Sequence, residues 1–147
     1  MGGLVRRPAG QRDVKLLASV VATFALGAGS VGVQAHTSPY GRVLFDQRGF
    51  VLYGFTADSA RASRCYGACA RAWPPLLVKT AAKALRGVDR TKLGTVTRRN
   101  GTRQVTYGGH PLYYYVGDTN AGQIHGEDTF ASGGYWYLVN AKGRSVT

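Results

Sequence analysis

The chain repeats itself. Val43-Leu44-Phe45-Asp46, continuing through Leu52-Tyr53-Gly54-Phe55-Thr56-Ala57-Asp58, is echoed by Val105-Thr106-Tyr107, continuing through Leu112-Tyr113-Tyr114-Tyr115-Val116-Gly117-Asp118. Both copies carry Leu-Tyr-x-aromatic-x-x-Asp at an offset of 60 residues. A tryptophan follows each, Trp73 at 15 residues beyond the first aspartate and Trp136 at 18 beyond the second. Units of this size, about 40–76 and 94–140, bury too little apolar surface to hold separate cores. They are expected to pack against one another as one pseudo-symmetric domain.

Each unit reads as a β-hairpin. Residues 42–46 and 50–56 are rich in β-branched and aromatic side chains and are separated by Gln47-Arg48-Gly49, the length and composition of a short turn. In the second unit, 94–99 and 102–107 flank Asn100-Gly101, a dipeptide whose tolerance of positive φ suits a two-residue hairpin loop. Gly108-Gly109-His110 then turns the chain into 111–116. Strand alternation places Tyr53 and Phe55 on one face with Leu52 on the other, and Tyr113 and Tyr115 on the matching face of the second copy. A last strand is expected over 134–140. Residues 59–72 are helix-compatible, with Ser59 as cap and Pro74-Pro75 as stop, and Lys79–Arg86, closed by Gly87, reads as a second, basic helix. The expected fold is therefore β-rich α+β: two related hairpin units in one antiparallel-sheet domain with one or two short helices.

The N-terminus directs the compartment. Arg6, Arg7, Arg12 and Lys15 precede an uncharged run from Leu16 to Val33, which closes on Val33-Gln34-Ala35. Basic, apolar and small-residue segments in this order are those of a secretory signal peptide. Residues 1–35 are accordingly assigned to the signal and 36–147 to the exported domain. The alternative is an uncleaved anchor, which the short, glycine-containing run suits less well. There is no cysteine near the cleavage point, so no lipobox. Export also changes the meaning of the charge. The chain has 19 Lys+Arg against 7 Asp+Glu, a net +12, of which all but three units lie beyond residue 35. Outside the cytoplasm the available polyanions are acidic wall polymers and anionic lipid head groups, not nucleic acid.

Cys65 and Cys69 are the only two cysteines, and in an oxidising compartment they are expected to form a disulfide. One turn of a helix would bring positions i and i+4 to the same face. Three intervening residues suit a redox motif poorly, and a zinc site would require four ligands.

Taken together, Leu52-Tyr53 to Asp58, Cys65-Tyr66-Gly67-Ala68-Cys69-Ala70-Arg71-Ala72-Trp73-Pro74-Pro75-Leu76, Gly87-Val88-Asp89, Leu93–Arg98, Gln104–Tyr107, Pro111–Asp118 and Trp136-Tyr137 resemble the secreted-repeat family of small bacterial exported proteins and lipoproteins, known for a Tyr-x4-Asp motif. The resemblance spans nearly all of 40–140 and implies an exported domain whose biochemical role is unassigned. The chain departs from that family in lacking a lipobox cysteine and in carrying Asn100 where an acidic residue is common.

The candidate chemistry is limited. The motif pairs Tyr53/Asp58 and Tyr113/Asp118 either converge on a polar ligand site or close turns and fill the core. Trp73 and Trp136 are either platforms for flat ligands such as sugar rings or core anchors. No histidine sits in a hydrolase or metalloprotease motif, so no catalytic residue is assigned. Asp118-Thr119-Asn120 with Glu127 and Asp128 only faintly resembles an oxygen-ligand calcium loop, so neither metal nor cofactor is expected. Lys79, Lys83, Arg86 and Arg90, with the hairpin arginines Arg98, Arg99 and Arg103, form the expected basic surface. The resulting expectation is a non-enzymatic binding or structural module of the cell envelope. Its partner would be an anionic polymer, a lipid surface or another exported protein, with only peripheral membrane contact. The competing expectations are a redox or electron-transfer accessory with a bound cofactor, and a glycan hydrolase working through Asp58 and Asp118.

Overall fold

A computed structural model describes residues 30–147; the basic segment and most of the apolar run expected to form a signal peptide lie outside the described residues. The fold is β-rich. Strands β1 (Gly32–Ser38), β2 (Gly41–Asp46) and β3 (Tyr53–Phe55) precede a short helix, α1 (Ala68–Ala72). After it come β4 (Leu77–Val78), β5 (Lys83–Ala84), β6 (Leu93–Thr97), β7 (Arg103–Tyr107), β8 (His110–Pro111), β9 (Thr129–Ala131) and β10 (Gly134–Leu138).

These strands form three small sheets, ordered β2-β1-β5, β3-β10-β9 and β4-β7-β6 with β8 on β7. All pairs are antiparallel except β1 with β5. The expected single sheet is thus divided, and its parts join at isolated bridges. The central bridge pairs Tyr53 with Tyr113: each donates its backbone N–H to the other's carbonyl at 2.9 Å.

The same reciprocity runs outward from that point. Leu52 and Leu112 donate to Leu44 and Val105 respectively, and their carbonyls accept from Val139 and Leu76. Leu76 belongs to the first unit but lies against β7 of the second, whereas Val139 belongs to the second and lies against β2 of the first. Each unit therefore completes the other's sheet. Side-chain alternation follows the expected pattern: Tyr53, Phe55 and Tyr113 enter one core cluster with both tryptophans, and Leu52 and Leu112 enter a second on the opposite face with Val33, Leu44 and Val105.

β1 runs across the expected 35/36 boundary: Val33 and Ala35 are buried, and residues 33–38 pair with β2. Three expectations require correction. The run 50–56 is not one hairpin strand. Asp46 Oδ1 accepts the backbone N–H groups of Arg48 and Phe50, leaving only a Phe45–Val51 bridge before β3 departs to pair with β10. Residues 59–72 are helical only from Ala68 to Ala72. Ser59 closes a tight turn with Ala62 instead of capping a helix, and Cys65 lies ahead of α1. Finally, Lys79–Arg86 is not a helix: Lys83 and Leu85 donate to Val31 and Val33, and Ala35 donates to Arg86. Pairing along the open edge of β1 overrides the favourable local helix propensity of this Ala-, Lys-, Leu- and Arg-rich segment.

Candidate functional site

The repeated motif residues meet at the centre of the domain, and they pair across the repeats. Tyr53 donates its hydroxyl to Asp118 Oδ2 at 2.7 Å, and Tyr113 donates to Asp58 Oδ2 at 2.6 Å. The other carboxylate oxygens each accept a backbone N–H a few residues downstream, Asp58 Oδ1 from Arg64 and Asp118 Oδ1 from His125. Each phenol oxygen has one more partner, Gly126 N–H on Tyr53 and Ser63 Oγ on Tyr113. Burial, reinforced by the carboxylate each phenol faces, pushes both phenols far above their ordinary range. Burial also raises the Asp58 carboxyl, against the opposing effects of the Tyr113 hydroxyl, the Arg64 backbone N–H and the Arg98 charge.

Between these two polar clusters lie the tryptophans. Trp73 and Trp136 stack face to face, with centroids 4.1 Å apart and planes 2° from parallel. Phe55 stacks on the outer side of Trp136 at 4.2 Å and Tyr115 on Trp73 at 4.2 Å, while Tyr53 and Tyr113 meet the indoles edge-on. Both indoles are at most 1% exposed. A sugar platform needs an open ring face, and these have none. Gly126 is part of the same packing: a Cβ there would lie 2.8 Å from the Trp73 ring, so only glycine lets its N–H reach the Tyr53 hydroxyl.

The arrangement is a four-ring stack latched at both ends by Tyr–Asp bonds. Each carboxylate oxygen of Asp58 and Asp118 accepts one hydrogen bond within this arrangement. Near the calcium-like loop, Gln123 Oε1 accepts Thr119 and Asn120 N–H groups, so the loop's polar atoms serve its own turn. Among the described residues no three His, Cys, Asp or Glu side chains gather as a metal site would require.

Cys65 and Cys69 form a disulfide with Cα atoms 5.2 Å apart, fastening the segment before α1 to its first turn. Of the expected basic surface, Lys79, Lys83, Arg86, Arg90, Arg99 and Arg103 are exposed. Arg98 is not. It is 4% exposed, donating to Ser63 Oγ, Gln104 Oε1 and the Cys65 carbonyl at 2.6–2.8 Å. The hairpin tip turns this side chain inward because those acceptors, buried with it, require a donor. The expected basic surface leaves out Arg61 and Arg64, which with Arg99 line an open cleft. Their clue was the Asp58-Ser59 pair, two turn-forming residues just upstream.

No curated protein and no solved structure matches the chain. A family model described as a secreted repeat of unknown function matches it twice, over residues 34–77 and 94–140. Those two stretches are the halves that exchange strands and Tyr–Asp bonds, and they cover more than half of the chain: the protein belongs to this secreted-repeat family.

Proposed function

We propose that the protein is an exported, non-enzymatic module of the cell envelope that binds an anionic surface, either wall polymer or lipid. The observation that carries this reading is the uncommitted positive charge. Among the described residues the side-chain ion pairs are Arg48–Asp46 and His125–Asp118, so the exposed Lys79, Lys83, Arg86, Arg90, Arg99 and Arg103 face solvent without carboxylate partners. Such a surface raises the local concentration of polyanions and accelerates their capture. Engagement of the motif carboxylates in the core supports a role without catalysis. The secreted nature of the family supports envelope polyanions over nucleic acid.

Co-sedimentation of the protein with purified cell wall and with phosphatidylglycerol vesicles tests this. Retention is expected at low ionic strength and should be lost as salt shortens the screening length to a few ångströms. Failure to associate with either material at low salt removes the reading.

The stacked indoles flanked by carboxylate-bonded phenols favour a second reading, a redox accessory. Protein taken from its native compartment would then carry visible cofactor absorbance, and a colourless preparation would count against it.

A further inference from the structure

We propose that the cleft between the 59–66 segment and the tip of the β6–β7 hairpin is a phosphate-binding site formed by Arg61, Arg64 and Arg99. The proposal rests on the polyanion-binding reading above and names the place and chemistry of one specific contact. The cleft measures about 320 Å³, and Ser63, Tyr66 and Thr97 line it together with the three arginines. That size suits a phosphate carrying part of a flanking glycerol or sugar.

None of the three guanidinium groups forms a side-chain ion pair among the described residues. The nearby acid, Asp58, is hydrogen-bonded by the Tyr113 hydroxyl and by the backbone N–H of Arg64; the charges of Arg98 and Arg64 also act on it, without a direct ion pair. Beside the cleft, the buried Arg98 adds a further positive charge on the Oγ of Ser63. Like charges gathered around one space repel in the free protein, and an anion placed among them removes that cost.

The backbone that carries these arginines is held firmly. Ser59 and Ala62 exchange backbone hydrogen bonds, Asp58 holds the Arg64 N–H, and the Cys65–Cys69 disulfide fixes the next residues. Across the cleft, the Tyr66 hydroxyl accepts the Arg99 N–H, and the guanidinium carbons of Arg99 and Arg98 lie 4.1 and 4.4 Å from the centre of its ring. Three planar donor forks on fixed supports suit a tetrahedral phosphate, which presents oxygens in several directions. A carboxylate is satisfied by one fork. A phosphodiester wall polymer and a phospholipid head group both supply this chemistry.

The test uses the full chain, with a soluble glycerol-phosphate oligomer in titration calorimetry and phosphatidylglycerol vesicles in sedimentation, both at low salt. Poly-glutamate serves as the carboxylate probe. All three cleft arginines are exposed, so R61A/R64A/R99A should retain the fold and the thermal midpoint. It is expected to lose about tenfold or more in affinity for the oligomer, for the vesicles, or for both. Loss against the oligomer assigns the wall polymer as source, and loss against the vesicles assigns the lipid. The variant R42A/K142A/R144A, equal in charge and made at exposed residues outside both the cleft and the basic surface named above, should lose no more than about twofold at such a geometrically defined site. Equal weakening by the two triple variants, or wild-type affinity for poly-glutamate matching that for the oligomer, overturns the phosphate site while leaving polyanion binding intact. Absence of wild-type binding to every probe overturns both.

Discussion

At the residue scale, the Tyr-x4-Asp motif acts between copies and not within one. Tyr53 bonds Asp118, and Tyr113 bonds Asp58, so a substitution in one repeat is felt in the other. Tyr53→Phe leaves a buried Asp118 oxygen without its donor and should cost about 1–3 kcal/mol. A double-mutant cycle separates the pairings: Tyr53→Phe with Asp118→Asn should couple by about 1–2 kcal/mol, and Tyr53→Phe with Asp58→Asn by less than about 0.5 kcal/mol. Denaturant unfolding of the six chains of the two cycles measures both, and the reverse ranking would refute cross-repeat pairing. His110 supplies a pH dependence. Burial lowers its imidazole below the ordinary value, so the unfolded chain takes up its proton before the folded one does. Stability from this residue is therefore complete above about pH 6.5 and is lost as pH falls from there through the folded-state value. In His110→Gln, the thermal midpoint should decline less steeply with acidification than in the wild type. The faces of Tyr53, Phe55, Leu52, Tyr113 and Leu112 were legible from period-two alternation. The partner of each phenol was not, because aspartates 5 and 65 residues from Tyr53 look equally suitable along the chain.

At the scale of elements, β1 has the clearest consequence. Its first half holds Val33 and Ala35 in the core, and its backbone bonds reach Leu85 and Arg86. Cleavage after Ala35 would remove the buried Val33 side chain and the edge that β5 needs, so a chain starting at His36 should be destabilised by about 2 kcal/mol or more. Mass spectrometry of exported protein is expected to find an N-terminus at or before Val31; a start at His36 in folded, exported material would contradict this. The disulfide is a smaller contributor. It closes a loop so short that its loss in Cys65→Ala/Cys69→Ala should cost about 2 kcal/mol by chain entropy, with the far-UV spectrum unchanged. Turn signals written in few residues were easily read. Asn100-Gly101 marks the β6–β7 hairpin, and Gly101 takes a φ of +83°. The segments 59–67 and 79–86 were misread as helices because short amphipathic runs do not reveal which open strand edge or buried acceptor waits beside them.

For the whole molecule, the two repeats are interlocked. Leu76 and Leu77 of the first unit lie on β7 of the second, and Val139 and Asn140 of the second lie against β2 of the first. The indole of each unit covers the other's. A fragment ending near residue 80 would expose Trp73 and strand edges at once, and should show neither a cooperative unfolding transition nor dispersed amide resonances. Adding the fragment 81–147 should restore both; an independently folded first half would rule out interlocking. The sequence by itself determined that there are two copies, that both are rich in strand, and that two cysteines lie in position to bridge, since repetition, alternation and short-range spacing are local properties of the chain. Only the tertiary structure decided which copy satisfies which phenol, that Val33 and Ala35 enter the core, that Arg98 turns inward and that Arg61, Arg64 and Arg99 surround one cleft. Those outcomes depend on contacts between residues tens of positions apart. At that range several partners are chemically equivalent, and close packing around the stacked indoles selects among them.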